Sequence, residues 1–214
     1  VPTCAHVCPR VPVPSQVEEL PAAVYPWCLA FGGDELAAFE AVATVLLNWG
    51  TRFYEYHPNP PIEVLNDADR VLYHFSPNVH THLHSVGAGP LVYGWPLLAS
   101  LFSRVLPRTD WLMLWDHLIC KEPVFILYAL AAFVHLHAST IYQCNSVDAV
   151  TASLLRPSGV HMRQWLTCAY DAYESAPNAT RPQNWKQFEP LPIGDTYPPG
   201  LPHPTVLVDH AAAQ

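Results

Sequence analysis

From Asp34 onward the chain falls into apolar runs at helical spacing, each opened by a proline or a capping residue and closed by a polar break. Asp34 can cap a helix reaching about Trp49, in which Leu36, Phe39, Ala43, Leu46 and Leu47 recur at helical positions. Its only polar line is Glu40, Thr44 and Asn48, so the pattern predicts a helix nearly surrounded by protein. Gly50 is the stop signal. The same punctuation predicts helices from Pro61 to Phe75, Pro77 to Val86, Pro90 to Val105, Thr109 to Cys120, Pro123 to Ala138 and Ser158 to Ser175. In the last of these, Met162, Trp165, Leu166, Ala169, Ala172 and Tyr173 form one face. Alternating strand patterns are almost absent and no repeat of solenoid length is visible. The expected body is therefore all-α, with roughly eight helices joined by short connections.

Proline placement sets the boundaries of that body. Of 23 prolines, four lie in the first fourteen residues and eight between Pro177 and Pro204. This predicts a Pro-rich extended segment over 1–19, a helical domain over 20–176 and a Pro-rich tail over 177–214. Half of the residues are hydrophobic and only 13% are charged, about half the charged share of an ordinary globular domain. The net charge of −8 and the ten scattered cationic residues argue against a nucleic-acid or anionic-membrane surface. The longest apolar run, Val124 to Val134, is eleven residues, well short of the about 20 needed to span a bilayer, so a central core helix is expected and membrane insertion is not. The N-terminal residues lack a charged start followed by an apolar segment, which points to an intracellular protein.

The candidate chemistry is sparse. Cys4, Cys8, Cys28, Cys120, Cys144 and Cys168 read as reduced thiols, mostly small buried hydrophobes. Cys4 and Cys8 make only half of a zinc site, with no second pair nearby. His80, His82 and His84 alternate, but on the predicted helix only His80 and His84 share a face, and a solvated helix end is expected over a metal pair. His135 and His137 are placed to cap the end of the core helix. The pairs Glu18 with Glu19 and Asp67 with Asp69 lie in polar segments and are expected to be solvated. No nucleophile elbow, phosphate-cradling loop or metalloprotease helix is present. The residues define no metal site, no cofactor site and no self-contained catalytic constellation.

The segment from Tyr93 to Ala132 carries more than pattern. Tyr93-Gly94-Trp95, then Leu98, Leu101, Phe102 and Leu106-Pro107, then Leu114-Trp115-Asp116 and the apolar helix opening Pro123-Val124-Phe125, resembles the C-terminal half of a TBC domain. That is the all-α fold of activators of Rab-type small GTPases. The stretches Ala38 to Trp49 and Phe53-Tyr54-Glu55-Tyr56 are similar to the WD-repeat-plus-TBC branch of the family, found at cilia and centriolar satellites. The resemblance spans about Leu20 to Ser175 and implies a TBC helical fold, mainly its C-terminal lobe, with a Rab GTPase as a possible partner. It assigns Trp95, Phe102, Trp115 and Asp116 to motif positions with a structural role, the Asp capping a helix or bonding a Trp.

In active members an Arg from Ile-x-x-Asp-x-x-Arg offsets charge on the transferring phosphoryl group, while a Gln from Tyr-x-Gln orients the attacking water. Neither motif occurs in the chain. Anchoring the family's register on Pro26 and Trp27 puts the Gln position near Glu18, whose carboxylate GTP phosphates would repel. The candidate stand-ins are Arg10 and Gln16, but Gln16 is out of line and lacks the following Gly, and Arg10 has no Ile-x-x-Asp before it. The resemblance therefore implies a degenerate domain serving as a binding or scaffolding module. The alternative is an active Rab GTPase-activating protein using non-standard fingers.

Overall fold

The computed structural model describes residues 16–54, 59–156, 160–178, 181, 182 and 185. Among these the chain forms α1 (Gln16–Phe31), α2 (Glu35–Asn48), a 3-10 turn (Thr51–Tyr54), α3 (Ile62–Phe75), α4 (Pro77–Ser85), α5 (Pro90–Tyr93), α6 (Trp95–Ala99), α7 (Arg108–Ile119), α8 (Phe125–Leu136), α9 (Ala138–Ile141), α10 (Val147–Leu154) and α11 (Met162–Ser175), with no strand. The fold is all-α. Its axis is α8, in which every residue from Phe125 to Val134 is buried. A helix apolar on every side has to be enclosed by others, and α3 and α11 pack along it. The Trp165 indole of α11 donates to the Ala129 carbonyl of α8 at 2.8 Å. On the other side of α11, His117 of α7 meets the Tyr170 hydroxyl at 3.0 Å.

The starts of several helices follow from their first residues. The Asp34 carboxylate accepts from the Ala37 amide at 3.0 Å, and Ser146 caps α10 through the Ala149 amide at 3.3 Å. Proline occupies the first turn of α4, α5 and α6, where no helical partner for its missing N–H is needed. The final helix begins at Met162 rather than Ser158, which lies outside the described residues.

Four elements depart from expectation. Helix α1 begins at Gln16, inside the segment expected to be extended, and runs through Pro21 and Pro26. A proline in a helix strands the carbonyl four residues back. For Pro26 that carbonyl belongs to Ala22, and the Ser103 hydroxyl donates to it at 2.6 Å. At the far end of α1, the Arg108 guanidinium donates to the Leu29 carbonyl at 3.1 Å, satisfying one of the orphan C-terminal acceptors.

Helix α2 is not surrounded: only Ala38, Val45 and Asn48 are buried, and Leu36 and Phe39 are exposed. The run expected as one helix from Pro90 to Val105 breaks into α5, α6 and a turn. Gly94 marks the break, because a Cβ there would lie 2.9 Å from the Pro90 carbonyl and 3.3 Å from a Leu130 methyl. Helix α10 was unmarked by pattern. In the tail, the Trp185 indole donates to Asp67 at 2.9 Å and its ring lies under the Arg52 guanidinium at 5.5 Å. The other two tail aromatics through which the Pro-rich tail could pack back, Phe188 and Tyr197, lie outside the described residues.

Candidate functional site

The motif segment folds around a strained turn. Leu101 and Phe102 both adopt left-handed backbone, with φ of 51° and 64°, a conformation that costs a side-chain-bearing residue about 1–2 kcal/mol. The turn aims the Leu101 carbonyl at two indoles: Trp111 donates to it at 2.9 Å and Trp115 at 3.3 Å. It also drives Phe102 into the core, 5.5 Å from the Trp165 ring and 6.3 Å from Phe133. Trp27 of α1 stands edge-on to Trp111 and Trp115 at 4.8 and 5.0 Å, and Trp49 reaches Trp115 at 6.0 Å. Trp95 is buried edge-on to Phe53 at 5.8 Å. The α1–α2 hairpin is thus pinned to α7 by indoles, with Trp115 at the centre.

Asp116 does not take the expected part. It lies exposed in the middle of α7, and the indole beside it in sequence is bonded to Leu101 instead. The reason is geometric, since Trp115 faces inward and its neighbour one position on must face away.

Gln16 is the first residue of α1 and Glu18 lies in its first turn, while Arg10 lies outside the described residues. Glu19, expected to be solvated, is buried and paired with Arg104 at 2.8 Å. Asp67 is likewise buried, with Arg52 at 3.1 Å, Arg70 and Trp185 around it. These partners are distant in sequence or exposed, so local polarity gave no sign of the burial. The arginine-motif spacing does recur with Val in place of Ile, at Val64, Asp67 and Arg70 of α3. Val64 is fully buried and Arg70 is tied to Asp67.

Other polar residues also differ from expectation. His137 bonds the Phe133 carbonyl at 2.8 Å, but His135 turns away from the helix end to Ser76 of the α3–α4 corner at 2.9 Å. Of the described cysteines only Cys144 is buried; Cys28 and Cys120 are exposed. Burial, helped by the charge of Asp171, pushes the Cys168 thiol up and keeps it protonated. Cys4 and Cys8 lie outside the described residues. The outer side of α1 and α2 exposes Tyr25, Leu29, Leu36 and Phe39, so the low charge of the sequence surfaces here as an apolar face.

An all-helical lobe built around a buried Leu-Phe turn, an inward Trp and an apolar core helix defines a class. Residues 22–142, more than half of the chain, match the Rab-GTPase-TBC domain, and the chain belongs to that family. Over 196 residues, 91% of the chain, it is 32% identical to TBC1 domain family member 31 of Xenopus laevis. Over 197 residues, 92% of the chain, it is 28% identical to TBC1 domain family member 31 of Homo sapiens. The chain spans 18% of the length of each of these relatives. No solved structure matches it. Among the described residues no helix is long and apolar enough to cross a membrane.

Proposed function

We propose that this domain is a binding or scaffolding module whose own residues do not accelerate GTP hydrolysis, within a ciliary or centrosomal protein. The observation that carries the reading is the lack of both finger motifs in 214 residues. An arginine finger is worth about 10³–10⁵ in rate, an acceleration that these residues without the motif do not supply themselves. A carboxylate at Glu18, near the glutamine register, works against catalysis because it would repel the phosphates. The partner class favoured by the family is a Rab-type small GTPase, and the exposed apolar side of α1 and α2 supports a role in protein binding. The ciliary setting rests on the likeness to TBC1 domain family member 31. Single-turnover GTP hydrolysis across a Rab panel tests the proposal: rates equal to intrinsic hydrolysis are expected, and an acceleration of about 10³ would sink it.

One observation favours the second reading, an activator with non-standard fingers. Arg70 sits at the arginine position of a Val-x-x-Asp-x-x-Arg sequence. Acceleration by the parent chain that vanishes in Arg70→Ala would establish it.

A further inference from the structure

Helices α3 and α4 meet at Ser76, whose non-helical backbone turns the chain back so that α4 lies against α3. Val79 and Leu83 supply the buried side of α4, which sets His80 and His84 at the rim of the contact, one helical turn apart and facing α3. Between them stands the Asp69 carboxylate. His80 Nε2 lies 3.1 Å from Asp69 Oδ2 and His84 Nε2 lies 2.8 Å from Asp69 Oδ1. The two imidazole centroids are 4.2 Å apart, and the three donor atoms all lie within 4.8 Å of one another. From the core side, the buried Tyr93 hydroxyl donates to Asp69 Oδ1 at 2.9 Å, and the Tyr73 ring stands edge-on to His80 at 5.2 Å. This is not a solvated helix end, since His80 is largely covered and only His84 opens to solvent.

We propose that Asp69, His80 and His84 bind a zinc-class divalent cation that clamps α4 onto α3. Three N and O donors around zinc, bonded at about 2.0–2.2 Å in a tetrahedron, stand about 3.4 Å from one another. Each Nε2 already lies against a carboxylate oxygen, His80 at Oδ2 and His84 at Oδ1, and one oxygen with both nitrogens, within 4.8 Å of one another, reaches that spacing by a small side-chain adjustment. Two imidazoles and one carboxylate select a borderline transition ion over calcium or magnesium, which take oxygen donors. On binding, the ion takes the place of the Nε2 hydrogens, and each neutral ring carries its proton on Nδ1 instead. The fourth position falls on the solvent side, where His84 is exposed. Tyr93 is a positioning residue: its hydroxyl fixes the carboxylate, as outer-shell donors do in metal sites. The inference is independent of whether the domain engages a Rab GTPase.

The test is titration of zinc chloride against a chromophoric chelator, on the whole chain carrying Cys4→Ser and Cys8→Ser so that those thiols do not compete. One equivalent of zinc is expected to bind and to raise the thermal midpoint. His84→Ala, at an exposed side chain, is expected to keep its circular dichroism spectrum while losing that equivalent and the thermal shift. His82→Ala, whose ring faces the Cys144 carbonyl, should titrate like the parent. Tyr93→Phe should keep the stoichiometry with about 10- to 100-fold weaker affinity; unchanged affinity would remove Tyr93 from the site. Zinc binding that is not saturable, or that is the same in His84→Ala as in the parent, would overturn the proposal.

Discussion

Helix α1 survives two internal prolines because another element supplies what one of them removes, and this can be measured. Pro26 has no N–H to give the Ala22 carbonyl, and Ser103 fills the vacancy at 2.6 Å. Ser103→Ala leaves a partly buried acceptor unpaired, at a cost of about 1–2 kcal/mol. In a Pro26→Ala background, residue 26 regains its amide hydrogen and can bond Ala22 within the helix. There the same Ser103→Ala change should cost no more than about 0.5 kcal/mol. The coupling between the two sites is then about 1 kcal/mol. At a urea slope of about 2 kcal/mol per molar, it appears as a difference of roughly 0.5 M between the midpoint shifts in the two backgrounds. Far-UV circular dichroism of the four proteins in urea completes the cycle. Equal costs of Ser103→Ala in both backgrounds would refute the reasoning and leave the tolerance of Pro26 unexplained.

Trp115→Ala removes a buried indole held by three others and should destabilise the domain by about 3–5 kcal/mol, whereas Trp115→Phe should lose much less, read as urea midpoints. The Asp69 carboxyl is held below its ordinary value of 3.8, so its contribution is fully present above that pH and is lost as pH falls through the lower folded value. Asp69→Asn should therefore flatten the acid side of a stability–pH profile below about pH 4. Trp185→Ala deletes a hydrogen bond to buried Asp67 and a stacking partner of Arg52. It should cost about 1–3 kcal/mol and speed proteolytic cleavage in the tail after Pro177.

Helices α3, α4, α7 and α8 were legible because their apolar spacing and opening residues agree. What the sequence concealed lies in contacts made across it. Pro21 and Pro26 hide α1, since the donor that tolerates Pro26 is at Ser103 and the burial of Trp27 is against Trp111 and Trp115. The left-handed turn at Leu101 and Phe102 carries no glycine to announce it. An apolar pattern in α2 could not say how far Leu36 and Phe39 are covered, and both are exposed. For the site, the motif tryptophans were legible as core. The environments of Glu19, Asp67 and Asp69 were not, because Arg104, Trp185 and Tyr93 reach them from far along the chain.

The central proposal is that this chain, which has the Rab-GTPase-TBC fold, supplies no activator's chemistry from its own residues. The most direct measurement follows single-turnover GTP hydrolysis by the Rab that the chain binds most tightly, at saturating chain. The account predicts nucleotide-dependent binding with hydrolysis at the intrinsic rate. Acceleration by about 10³ or more would contradict it.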